Sequence, residues 1–126
     1  MSTATQALPG FLESVRVADR ALLDVARTRQ LRPMEAYLLL IMLDEGDAVS
    51  TAHIAARVAA SSSQTKQLAL ALQVRGLITR RDRTGLTSLT PAGRREAAAL
   101  AQDVVKALQD RLQTLDATAA WRAVTA

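Results

Sequence analysis

Eight side chains set the chemistry open to this chain. Arg57, Lys66, Arg75, Arg80, Arg81, Arg83, Arg94 and Arg95 all fall between Ala48 and Arg95. Asp82 is the only acid in that window, which therefore carries +7 while the rest of the chain carries −3. The overall charge of +4 conceals this segregation. A cluster of guanidinium and ammonium groups without carboxylates to neutralise it attracts phosphate, and in a folded domain it marks a surface that meets a polyanion. Other chemistry finds little footing. Ser61, Ser62 and Ser63 are nucleophiles by type, but serine at a helix start is far more often a cap. His53 is the only histidine, so it has no partner set for catalysis or for a metal. Cysteine is absent, and with it any thiolate zinc site, disulfide or thiol switch. No acid pair and no glycine-rich phosphate loop stands out. The expectation is a protein that is not an enzyme, with no catalytic residues, no metal and no cofactor.

The bulk of the sequence fits one domain of 126 residues. Its hydrophobic content of 49% includes 25 alanines, and Phe11, Tyr37 and Trp121 are the only aromatics. Core volume must therefore come from Leu, Val, Ile and Met. No apolar run approaches the ~20 residues of a membrane span. The N-terminus lacks the order of a secretory signal. A soluble, cytoplasmic protein without membrane contact is expected.

The positioning elements follow from periodicity. Met1 to Ala7 is small and polar and is expected to fray. Leu8, Leu12, Val15, Ala18, Leu22 and Val25 recur at steps of three and four, the mark of an amphipathic helix. Pro33 opens a second helix, and Met34 to Glu45 is apolar nearly all round, so that helix should be buried. Val49 suits a very short strand, and Ser50 a cap on a helix to about Val58. Ser61 and Gln64 have capping-box spacing at the start of the next helix, which should turn Thr65, Leu68, Ala69 and Leu72 inward and end at Arg75-Gly76. Two β-like runs, Leu77–Arg81 and Leu86–Leu89, flank the turn-rich Asp82-Arg83-Thr84-Gly85. Thr90-Pro91 then starts a long helix to about Leu115, striped by Ala97, Leu100, Val104, Leu108, Leu112 and Leu115. Asp116 suits the cap of a last short helix carrying Trp121 and Val124. A helix of ~25 residues is about 37 Å long, longer than a domain of about 60 residues is wide. Its surplus apolar stripe therefore wants a second copy of the chain.

Helix, very short turn, helix and basic hairpin is the order of a winged helix-turn-helix. The fold class expected is mainly α with a small β-hairpin. Residues 31–90 would form the winged unit, with dimerisation helices at 1–30 and 91–126. Ser61, Ser62, Ser63, Gln64, Lys66 and Gln67 occupy the first turns of the second helix, where side chains reach base edges and capped amides meet phosphate. Arg75 and the hairpin residues Arg80, Arg81 and Arg83 would hold the backbone of duplex DNA. Leu12, Val15, Leu22, Leu108, Leu112 and Leu115 would form the dimer contact.

The residues also resemble a family. Leu31-Arg32-Pro33, Ser50-Thr51-Ala52-His53-Ile54-Ala55, Arg75-Gly76-Leu77-Ile78-Thr79-Arg80-Arg81 and Leu89-Thr90-Pro91-Ala92-Gly93-Arg94 look like the MarR family of bacterial transcription regulators. The likeness spans roughly Leu31 to Arg95. It implies a homodimer on palindromic double-stranded DNA, usually a repressor, often released by a small-molecule effector. Three positions depart from the pattern. The hairpin tip is short, Ser62 stands where a basic residue is common, and Ala59 stands where the family usually has Gly. If that backbone is left-handed, Ala costs about 1 kcal/mol there. The rival reading is a winged protein-interaction module that binds or sequesters a partner protein instead of DNA.

Overall fold

A computed structural model of the chain describes residues 3–81 and 85–114. Arg83, Leu115 and the expected short helix with Asp116, Trp121 and Val124 lie outside them, as does most of the hairpin tip. The elements run α1 (Thr3–Thr28), α2 (Pro33–Glu45), β1 (Val49–Ser50), α3 (Thr51–Val58), α4 (Ser62–Val74), β2 (Ile78–Arg80), β3 (Leu86–Leu89) and α5 (Pro91–Thr114). The chain is mostly helical with one small antiparallel sheet, as expected, but the sheet has three strands. β3 lies between β1 and β2, with Val49 opposite Thr87 and Ile78 opposite Leu89. Among the described residues, no helix is long and apolar enough to cross a membrane.

Two expectations need correction. The first helix begins at Thr3 rather than Leu8 and takes in Pro9. Residues 3–7 hold no helix breaker. Pro9, the seventh residue of the helix, forfeits one intrahelical hydrogen bond without ending it. The second correction concerns α2. Leu38 and Leu39 are fully buried at the centre of the core, and Ile41 and Met42 join them. Met34 and Tyr37 are exposed instead, because α1, α3, α4 and α5 surround α2 without covering the ridge those two share at i and i+3.

The core joins Val25, Ala26 and Leu31 to α2, Ile54 and Val58, Ala69 and Leu72, Leu77 and Ile78, and Ala97 and Leu100. α1 closes through Gln30, whose φ of 58° lets the Leu31 amide reach the Ala26 carbonyl at 2.9 Å. Next to that turn, Arg29 ties α1 to α5 through Glu96 (3.0 Å) and Asp103 (2.7 Å). Arg111 and Asp24 form a further ion pair between the same two helices.

The Thr90–Gly93 segment fixes α5 to the hairpin. The Thr90 hydroxyl donates to the Gly76 carbonyl at 2.7 Å and accepts from the Gly93 amide at 2.9 Å. The Thr90 amide bonds the Leu77 carbonyl at 3.1 Å. A Cβ on Gly93 would lie 1.8 Å from that same carbonyl oxygen, so only glycine lets α5 start this close to β2.

Candidate nucleic-acid interface

The local sequence presents α4 outward. Ser50 caps α3 by accepting from the His53 amide at 3.1 Å. Ala59 ends α3 in a left-handed conformation, φ 54° and ψ 43°, and the Ala60 amide closes back to the Ala55 carbonyl at 3.1 Å. Ser61 then caps α4. Its hydroxyl accepts from the Gln64 amide at 3.1 Å, while its own amide donates to Gln64 Oε1 at 3.2 Å, so both halves of the capping box form. Thr65, Ala69 and Leu72 are buried and Leu68 is partly so, as their spacing requires.

The opposite side of α4 is a stripe of Ser63, Gln67, Leu70 and Val74, spaced i, i+4, i+7 and i+11, with Lys66 beside it. All are exposed, and no residue of α4 is acidic. Ser61 and Ser62 are exposed at its start. Gln64 stands apart. One of its carbonyl lone pairs already serves the cap, and its side chain lies on the flank of the helix rather than on this stripe. Leu70 and Val74 were not singled out from the sequence. The inward phase of Thr65, Ala69 and Leu72, which the spacing already set, leaves both on the outer face.

The basic window divides into two sets. Arg57 binds Asp44 at 2.9 Å and Glu45 at 3.0 Å across the α2–α3 contact. His53 Nε2 donates to the same Glu45 oxygen at 2.6 Å. The hydrogen bond from His53, and after it that from Arg57, holds the Glu45 carboxyl below its usual value of 4.5. Arg94 donates to the Gly46 carbonyl and Arg75 to the Gln30 carbonyl, each at 3.0 Å. These three arginines grip their own chain. Lys66, Arg80, Arg81 and Arg95, by contrast, enter no ion pair or side-chain hydrogen bond among the described residues.

Arg80 is half-buried on the same side of β2 as Ile78, and Arg81 is exposed one residue on. Arg80 thus closes β2 and Arg81 opens the connection to the tip. The Arg81 amide bonds the Leu86 carbonyl and the Gly85 amide bonds the Arg81 carbonyl, both at 2.9 Å, which closes the stem below the tip.

Behind α4 lies a groove of about 300 Å³, bordered by Arg32, Met34, Glu35, Gln64, Gln67 and Leu68. Glu35, buried, accepts from the Arg32 amide at 2.8 Å and so holds the first turn of α2 in place.

On the other side of the molecule, Leu12 and Val15 are exposed along α1, together with Leu8. Leu22 is partly buried against the core. Leu108 is partly buried on α5, and only the place of Leu112 on that helix is described. Val105, exposed beside them, was missed because it falls off the stripe of steps three and four.

No family model matches the sequence, and no curated protein does. Solved structures do. Wild-type MarR of E. coli superimposes with a TM-score of 0.76 at 15% identity, over 91% of this chain and 90% of that one. A MarR family regulator from Silicibacter pomeroyi gives 0.71 at 23% identity, over 91% and 85% of the two chains. This chain has the MarR fold. CouR of Rhodococcus jostii, solved with p-coumaroyl-CoA, is similar again, with a TM-score of 0.74 at 22% identity over 91% and 84% of the chains. The winged unit and its flanking helices are thus shared with MarR regulators as one arrangement.

Proposed function

We propose that this MarR-fold chain is a dimeric transcriptional regulator in the cytoplasm that binds a palindromic double-stranded DNA operator and acts as a repressor. The observation that carries the reading is the outer face of α4: capped, exposed, free of acids, and accompanied by Arg80 at the end of β2 and Arg81 just past it, which have no side-chain partner among the described residues. In this reading α4 enters the major groove by its first turns. Gln67 meets adenine, which an amide side chain recognises by two hydrogen bonds. Ser62 and Ser63 lie at the helix start, where hydroxyls and amides suit phosphate. Gln64 contributes less, because it completes the cap. Lys66, Arg80, Arg81 and Arg83 hold phosphates, while Arg75, bonded to the Gln30 carbonyl, stands aside.

Leu8, Leu12 and Val15 on α1, with Val105, Leu108, Leu112 and Leu115 on and after α5, would bury against a second copy. The groove beside Arg32 would admit a small effector whose anionic group meets the guanidinium; CouR is a neighbour that binds p-coumaroyl-CoA. Because Gln67 borders that groove, an occupant there would bear directly on the DNA-reading face.

A gel-shift salt titration tests the reading. Binding through several cations must weaken steeply as salt rises. Arg81→Ala should weaken binding to specific and scrambled DNA alike and flatten the log–log slope by about one unit. Affinity that ignores salt would discard DNA and favour a protein partner. For assembly, light scattering should report a dimer for the parent and a monomer for the double substitution of Leu12→Asp and Val15→Asp. A monomeric parent at micromolar concentration would end the dimer proposal.

A further inference from the structure

We infer that Leu70 reads thymine by packing on its C5-methyl group, an inference that rests on the DNA-binding reading above. Leu70 is 60% exposed in the middle of the outer face of α4. An aliphatic side chain there gains free energy only if something removes it from water. It stands seven residues after Ser63, two turns or about 10 Å along the helix, and one turn beyond Lys66 and Gln67. Toward the start of the helix its neighbours on that face, Ser63, Lys66 and Gln67, are polar or cationic. The chain has no acid between Asp47 and Asp82, so nothing on this face repels a phosphate backbone.

A protein partner fits less well. Leu70 and Val74 are two side chains, whereas a standard protein interface buries roughly 800 Å² on each side. The major groove asks for less. It is about 12 Å wide, its edges are polar, and its one apolar feature is the thymine methyl. An exposed leucine among polar readers matches that composition. Val74 is 81% exposed one turn further on. Recognition helices meet base edges through their N-terminal residues, so Val74 falls outside the contact.

The experiment uses the full chain and DNA sites selected from a random duplex library. Each thymine of a selected site is replaced singly by deoxyuridine, which removes the methyl group and nothing else. At one position per half-site the parent should lose about fourfold in Kd, the worth of one buried methyl group. Leu70→Ala should show a similar loss on thymine DNA and no further loss on the deoxyuridine site. Val74→Ala should retain the full deoxyuridine penalty. Leu70 is exposed, and the deoxyuridine comparison on the parent needs no variant at all, so misfolding does not confound the result. A parent that selects a site yet ignores deoxyuridine at every position would overturn the inference while DNA binding stands. So would a Leu70→Ala variant that keeps the whole deoxyuridine penalty. Failure to select any DNA would overturn the DNA-binding reading itself, and this inference with it.

Discussion

Helices α4 and α5 both begin on a hydroxyl cap, Ser61 accepting from Gln64 at 3.1 Å and Thr90 from Gly93 at 2.9 Å, yet their first turns face different surroundings. Around Thr90 the hydroxyl and the amides are bound within the chain. The hydroxyl also donates to Gly76, the amide bonds Leu77, and Gly93 lies against the same Leu77 carbonyl. Around Ser61, the residues Ser62, Ser63 and Gln67 are all exposed, with no described part of the chain packed over them. The same capping chemistry locks one helix to the hairpin and leaves the other open. A helix start therefore becomes a recognition surface through what the fold leaves uncovered, and the cap residue itself does not decide it.

The largest test of that difference is Gly93→Ala. A methyl group 1.8 Å from a backbone oxygen forces α5 away from β2, and overpacking of this kind should cost about 3 kcal/mol in urea unfolding. A cost below about 1 kcal/mol would mean that the α5 start is no tighter than that of α4. Next come the caps themselves. Thr90→Ala loses both a cap and the bond to Gly76 and should cost about 2 kcal/mol. Ser61→Ala loses the cap alone and should cost about 1 kcal/mol. Equal losses would erase the contrast. Ser63→Ala should change stability by less than about 0.5 kcal/mol, as expected of an exposed site, while lowering DNA affinity. Unfolding and gel-shift measurements on the same preparation separate the two effects.

The smallest expected effect concerns the α2–α3 clamp. Glu45 is held below its ordinary value of 4.5 by His53 and Arg57, so the folded state favours its charged form. That contribution is present above the unfolded value and is lost as pH falls through the folded one. The Tm gap between the parent and Glu45→Gln should accordingly shrink as pH drops below 4.5, and a gap unchanged in acid would remove the clamp from the account.

Much of this architecture was legible in the residues. The capping box at Ser61 and Gln64, the left-handed option at Ala59 and the inward phase of Thr65, Ala69 and Leu72 are local properties, and spacing encodes them. The charge count read less faithfully. It treats Arg57, Arg75 and Arg94 as equals of Arg80 and Arg81, because no local pattern reveals that Asp44, Glu45 and the Gln30 and Gly46 carbonyls will lie within reach of the first three. Those contacts form between elements 12 to 48 positions apart. Met34 and Tyr37 were misread for a related reason. An all-apolar helix implies burial on every side, but its packing partners, four helices and β3, leave one ridge open. The role of Gly93 was likewise invisible as physics, though its motif was visible as a resemblance, since the oxygen it avoids belongs to a distant strand.

Ala59 carries one more consequence, and it concerns the unfolded chain. At φ 54° an alanine is strained by about 1 kcal/mol relative to glycine. Glycine, however, gives the denatured ensemble more conformations to lose, a penalty of about 0.4–1 kcal/mol that alanine avoids. The two effects oppose each other, so the smaller entropy of the unfolded alanine chain offsets part of the strain and leaves the rest as a cost. Ala59→Gly should therefore be tolerated by the fold, and Ala59 itself borders the groove behind α4.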